Sequence, residues 1–218
     1  MIERIFPNVD VCAQALAADV AAALRERDGG SLVVPGGSTP AAFLRALSVA
    51  AGVPWENVTI APSDERWVSP DHPFSNQGFI ARSLSAAAAK AVLFPLFTGG
   101  ESPAAAVADC AERIARLSLP WVATVLGVGL DGHIASLFPG GEFEDDALCC
   151  AARAPVAPVE RLSLGLGALK QSERVFLLTS GPEKERAVWT AARDESSPLG
   201  RLLRLVPNMG HYHALADI

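Results

Sequence analysis

The stretch that most limits what this chain can fold into lies near its middle. From Trp121 to Val128 the sequence is uncharged and rich in β-branched residues, the pattern of a strand covered on both faces of a parallel sheet. That strand must stop abruptly. Gly127 and Gly129 permit a tight turn, Asp131-Gly132 is a turn signal, and one helical turn is expected from Ile134 to Phe138 before Pro139-Gly140 breaks it. A carboxylate and an imidazole, Asp131 and His133, therefore stand just past the carboxyl end of a central strand, where open α/β sheets bind ligands. Taken alone, the pair reads equally as a helix cap followed by a surface histidine.

The same alternation of buried run, turn and helix recurs along the chain. Val9, Ala13, Leu16, Val20 and Leu24 have helical spacing and end at Asp28-Gly29-Gly30. Strands are expected at 31–34, 58–61, 92–97, 161–164 and 174–179, and helices at 41–50, 77–84 and 104–117. Strands separated by helices imply one domain, 1–218, with a three-layer α/β/α architecture and a mostly parallel, Rossmann-like sheet. Gly127 and Gly129 are not a dinucleotide fingerprint, because the third glycine and the regular helix after it are missing.

Composition narrows the function. Acidic residues outnumber basic ones, 24 to 18, and no basic cluster occurs, which argues against a nucleic-acid surface. The longest uncharged stretch, Gly29 to Leu44, is broken by Gly, Ser and Pro and is too short to span a bilayer. No basic region followed by an apolar core opens the chain, so a cytoplasmic protein with no membrane partner is expected. Cys12, Cys110, Cys149 and Cys150 lack metal-site spacing and are expected to be reduced thiols. His211 and His213 have no evident third ligand, so no metal is expected.

Three further stretches offer groups to an anion. Pro35-Gly36-Gly37-Ser38-Thr39-Pro40 joins a strand to a helix, with glycines that let backbone approach a ligand, free N–H groups at the helix start and two hydroxyls; it also reads as an ordinary capped helix. Asp64-Glu65-Arg66 follows an uncharged strand, either as a solvated loop or as part of the same cleft as Asp131. Ser180 and Glu183 form a capping-box pattern that puts Lys184 near a helix N-terminus, where the dipole disfavours a cation. A bound anion would relieve that conflict, and a lysine reaching into water would tolerate it.

The ordered set of motifs resembles one family. GVGLDGHIASLFPG is similar to the G-x-G-x-D-G-H-x-A-S-L-F-P-G signature of 6-phosphogluconolactonases, within the wider group of sugar-phosphate isomerases and deaminases. GGSTP resembles the family's phosphate loop, DERWVSPDHPFSN its D-E-R segment with Phe74 where Asp is usual, VERLSL its R-[IV]-T-L-T segment with Ser163 for Thr, and Gly181 to Lys184 its G-x-x-K. The resemblance implies hydrolysis of a small sugar-phosphate lactone, 6-phospho-D-glucono-1,5-lactone, without metal or organic cofactor, by a monomer or small homo-oligomer. It implies His133 as general base, Asp131 orienting it or bonding the sugar, and Arg66 or amides after Gly129 meeting the oxyanion. Gly36, Gly37, Ser38, Thr39, Asp64, Glu65, Asn76, Arg161 and Lys184 are implied to hold phosphate and sugar. The same-fold alternatives are an amino-sugar-phosphate deaminase, which carries F-N-E-P-G where this chain has Ser136-Leu137-Phe138-Pro139-Gly140, and a non-catalytic sugar-phosphate sensor.

Overall fold

The computed structural model describes residues 1–216, apart from the Ser38 side chain. In chain order the elements are β1 (Ile2–Phe6), α1 (Val9–Glu26), β2 (Gly30–Val34), α2 (Ser38–Ser48), β3 (Val58–Pro62), β4 (Asp64–Arg66), α3 (Asn76–Ser83), β5 (Val92–Leu93), α4 (Pro103–Ala115), β6 (Ala123–Leu126), β7 (Cys149–Arg153), β8 (Glu160–Leu164), α5 (Leu166–Leu169), β9 (Val175–Ser180), α6 (Gly181–Arg193), α7 (Pro198–Leu205) and β10 (Gly210–Ala214). Seven strands form one parallel sheet in the order β1-β10-β9-β6-β2-β3-β5. From β2 the chain builds outward through β3 and β5, then returns to place β6 on the other side of β2. The β2/β6 boundary is thus the switch point, and a crevice opens beyond their carboxyl ends.

Side-chain alternation assigns the layers. Leu32 and Val34 of β2, and Phe176 and Leu178 of β9, pack with α1, α2 and α3. Val33, Val175 and Leu177 point the other way, toward α4 to α7. That second layer is only partly helical. An antiparallel sheet, β4-β8-β7, contributes Leu162, Leu164 and Cys149 to its core and packs against α4. The fold is the expected three-layer α/β/α arrangement, with this small sheet added at the mouth of the crevice.

Local chemistry explains the boundaries. Asn8 and Ser102 accept hydrogen bonds from Val11 N–H and Ala105 N–H at the starts of α1 and α4. The strand expected over 92–97 is regular only to Leu93, because Pro95 cannot donate to a ladder. Three expectations are corrected. Residues 134–138 form no helical turn: Ala135 adopts φ 50° and Ile134 makes single bridges to Val128 and Leu137. The helix after Pro35 begins at Ser38 rather than Ala41. Ser180 starts α6 without a side-chain cap, its hydroxyl turning instead to Thr39 Oγ1 at 3.2 Å.

Candidate active site

A cleft of about 390 Å³ opens at the switch point. Its walls bring together Gly36, Gly37 and Thr39 after β2, Asp64 and Arg66 of β4, Asn76 of α3, His133 after β6, Arg161 of β8 and Lys184 of α6. Asp131 supports this wall from behind His133, and Glu65 does not reach the cleft.

The turn after β6 is folded around Gly129. Its N–H donates to the His133 carbonyl at 2.8 Å, and a Cβ there would fall 2.1 Å from His133 Nδ1 and 2.4 Å from Asp131 Oδ1. Only glycine lets the two side chains close over the turn. They meet at 2.6 Å, Nδ1 to Oδ1, and the His133 amide donates to the same oxygen at 3.2 Å. Burial pushes the Asp131 carboxyl up, but the His133 amide and imidazole outweigh it and hold the carboxyl below its ordinary value. An ionised Asp131 accepts a hydrogen bond from His133 Nδ1–H, which leaves the ring's lone pair on Nε2. Phe138 packs on the imidazole with ring centroids 4.8 Å apart.

Opposite stand two arginines in a ladder. Arg66 of β4 pairs directly with Arg161 of β8, and each has a buried Nε without a hydrogen-bond partner. Burial, with Arg66 beside it, lowers the Arg161 guanidinium from its ordinary value, against the pull of Asp64 and Glu65. Like charges directly opposite repel, so an anion between them is stabilising. Arg66 is also held by the Phe74 carbonyl at 2.6 Å.

The same short strand explains Asp64 and Glu65. Side chains alternate along β4, so Asp64 and Arg66 face the cleft while Glu65 turns inward. Glu65 is fully buried and accepts from Arg66 N–H (2.8 Å), Asn76 N–H (2.7 Å), Gln77 N–H (2.7 Å) and the Ser75 hydroxyl (3.1 Å). Expected as a substrate contact, it is instead the anchor that ties the start of α3 to β4. Asp64 accepts from Ser136 Oγ at 2.5 Å, Ser63 Oγ at 3.0 Å and Asn76 Nδ2 at 3.3 Å. Asn76 in turn fixes the loop after β2, since a Cβ on Gly36 would lie 2.0 Å from Asn76 Oδ1.

At the far wall two helix starts converge. α2 begins at Gly37 (φ 116°) with no side-chain cap and no acid in its first turn, and α6 begins uncapped at Ser180. The Thr39–Ser180 contact joins them. Lys184 donates to the Val128 carbonyl at 2.5 Å, and burial lowers its ammonium against the attraction of Asp131. Uncapped N–H groups from two dipoles beside an ammonium make an anion site. The Ser38 side chain lies outside the described residues.

Ser136, Thr179, Ser180 and the apolar rim of Ala154, Pro155 and Val156 also line the cleft and were not singled out as site residues from the sequence. Ser136 sits within the GVGLDGHIASLFPG motif, where its position gave a signal. The rim segment gave none, because it reaches the cleft only through the β7–β8 hairpin. Among the described residues no group of three or more His, Cys, Asp or Glu is placed to hold a metal ion, and no helix is long and apolar enough to cross a membrane.

Known proteins resemble this chain over most of its length. A 6-phosphogluconolactonase of Rhizobium meliloti is 38% identical over 216 residues, covering 92% of this chain and 93% of that protein. One from Pseudomonas aeruginosa is 39% identical over 188 residues, covering 79% of this chain and 77% of its own length. The crystal structure of a 6-phosphogluconolactonase from Shewanella baltica superposes with a TM-score of 0.88 at 28% identity, covering 99% of this chain and 97% of that one. The family model for glucosamine-6-phosphate isomerases/6-phosphogluconolactonase matches residues 8–206, and the chain belongs to that family.

Proposed function

We propose that this cleft hydrolyses 6-phospho-D-glucono-1,5-lactone to 6-phosphogluconate, with His133 as the general base. The observation that carries the reading is the Asp131–His133 contact of 2.6 Å in the same cleft as two uncapped helix starts and Lys184. A lactone is an activated ester, so its hydrolysis needs a base for water, a partner for the oxyanion and a grip on the phosphate.

In this reading His133 Nε2 takes a proton from water as the oxygen attacks the lactone carbonyl, and Asp131 stabilises the imidazolium that forms. The carbonyl electrons move onto oxygen, which meets Arg66; the amides of Gly129, Gly132 and His133 already bond within their own turn. Collapse of the tetrahedral intermediate breaks the ring C–O bond, and the proton held on Nε2 passes to the leaving oxygen. Thr39, Lys184 and the amides of α2 and α6 take the phosphate, while Asp64, Asn76 and Arg161 face the sugar.

A deaminase reading is weakened by Phe138, which packs against His133 and has no proton to transfer. The test supplies fresh phosphogluconolactone and, separately, glucosamine 6-phosphate. Acid release well above spontaneous hydrolysis, with no ammonia, is expected. Ammonia release at enzymic rates with no lactonase activity would overturn the reading.

A further inference from the structure

Behind the phosphate wall lies a polar string that the mechanism does not use. His211 and His213 of β10 are both fully buried, at 0% exposure. Their side chains lie on the same face of the sheet as Thr179 of β9, and both converge on one atom. Thr179 Oγ1 is 2.8 Å from His211 Nε2 and 3.0 Å from His213 Nδ1. A carboxylate flanks one end, with Glu3 Oε1 of β1 3.1 Å from His211 Nδ1, while at the other end Glu185 Oε2 of α6 stays 3.9 Å from His213 Nε2, beyond hydrogen-bond distance.

Proton bookkeeping gives the string a direction. Glu3 Oε1 lies off the line of a straight hydrogen bond, yet a carboxylate this close to Nδ1 favours a proton there over a second lone pair. Burial, reinforced by His213 and opposed by Glu185, pushes His211 down to about 4, so it holds a single proton at neutral pH. With that proton on Nδ1, Nε2 accepts from the Thr179 hydroxyl. The hydroxyl has then used its only donor, so it accepts from His213 Nδ1–H. Thr179 thus donates to His211 Nε2 and accepts from His213 Nδ1–H.

Thr179 is itself 2% exposed, lines the cleft and immediately precedes Ser180, which bonds Thr39, and Gly181, where α6 begins with φ 76°. We propose that His211 and His213 are positioning residues: by gripping the Thr179 hydroxyl from both sides they fix the β9-to-α6 turn, and with it Ser180, the α6 amides and Lys184, for the substrate's phosphate. This rests on the phosphate reading of that wall.

The conservative replacements differ for the two histidines, because Gln places its amide near an imidazole Nε2 and Asn near Nδ1. The experiment measures kcat and KM for the phosphorylated lactone, and inhibition by inorganic phosphate, in His211→Leu, His211→Gln, His213→Leu and His213→Asn. The Leu variants are expected to raise KM and the phosphate inhibition constant together by roughly 3- to 15-fold with kcat within about twofold, and Gln or Asn to restore most of the loss. Unchanged KM in the Leu variants, a loss confined to kcat, or Gln and Asn variants as impaired as Leu would overturn the proposal. Should the Leu variants fail to fold, long-range ¹H–¹⁵N NMR of the wild-type histidines decides: protons on Nδ1 of both rings support the string, and a proton on His211 Nε2 at neutral pH contradicts it. Wild-type protein that phosphate does not inhibit would instead sink the underlying phosphate reading.

Discussion

Asp131 and Glu65 are two carboxylates on opposite sides of one cleft, and they are built in opposite ways. Asp131 is half exposed and bonded only within its own turn, to a residue two positions away. Glu65 is fully buried and gathers four donors, three of them from the start of α3. An acid that stabilises a transient charge needs one short, fixed contact with the group that carries it, whereas an acid that satisfies otherwise orphaned N–H groups must gather several donors. The charge is the same. Position on the strand or turn decides which task it serves.

Breaking the Asp131 side should cost chemistry. His133→Ala is expected to lower kcat by at least about a hundredfold with little change in melting temperature; near-normal turnover in the folded variant would remove His133 from the role. Lys184→Ala tests the far wall. It is expected to lower kcat/KM for the phosphorylated lactone by roughly 10- to 150-fold while hydrolysis of unphosphorylated gluconolactone changes little. Because Lys184 also feels Asp131, equal losses with both lactones would place it with the reacting carbonyl instead.

Gly129→Ala intrudes between His133 and Asp131, within 2.4 Å of both side chains. Displacing the pair should lower kcat by about tenfold or more, with KM largely kept; an unaffected kcat would show that the pair's geometry is not needed. Breaking the Glu65 side should cost stability. Glu65→Leu leaves buried donors unmet and is expected to destabilise by about 3 kcal/mol or more, lowering Tm by roughly 6–12 °C. Turnover per folded molecule should stay within about threefold, and the reverse pattern would merge the two carboxylates into one function.

These differences also mark what the sequence could reveal. Asp131 and His133 were legible because their contact is local and glycines announce the turn. Glu65 was not, since DER reads as three adjacent charges until β4 is known to be a strand, whose alternation turns the middle residue inward. Ser180 fits a capping box in sequence, but Thr39, 141 positions away, draws its hydroxyl off. The strands β1 and β10 escaped for a related reason. Each is short and carries charged or imidazole side chains, and the fold alone sets β10 between β1 and β9, bringing Glu3 opposite His211. The strands β2, β3, β6 and β9 were plain, because burial on both faces leaves uncharged runs.

If Asp131 and His133 act as one unit, a double-mutant cycle will show it. The measurement is kcat for the phosphorylated lactone in Asp131→Asn, His133→Ala and the double variant, each confirmed as folded. Asp131→Asn alone should cost roughly 10- to 100-fold, because it weakens the hold on the Nδ1 proton. If Asp131 works through His133, the double variant loses no more than about threefold beyond His133→Ala alone. Losses that multiply would mean that the two residues act independently, and that Asp131 does not work through His133.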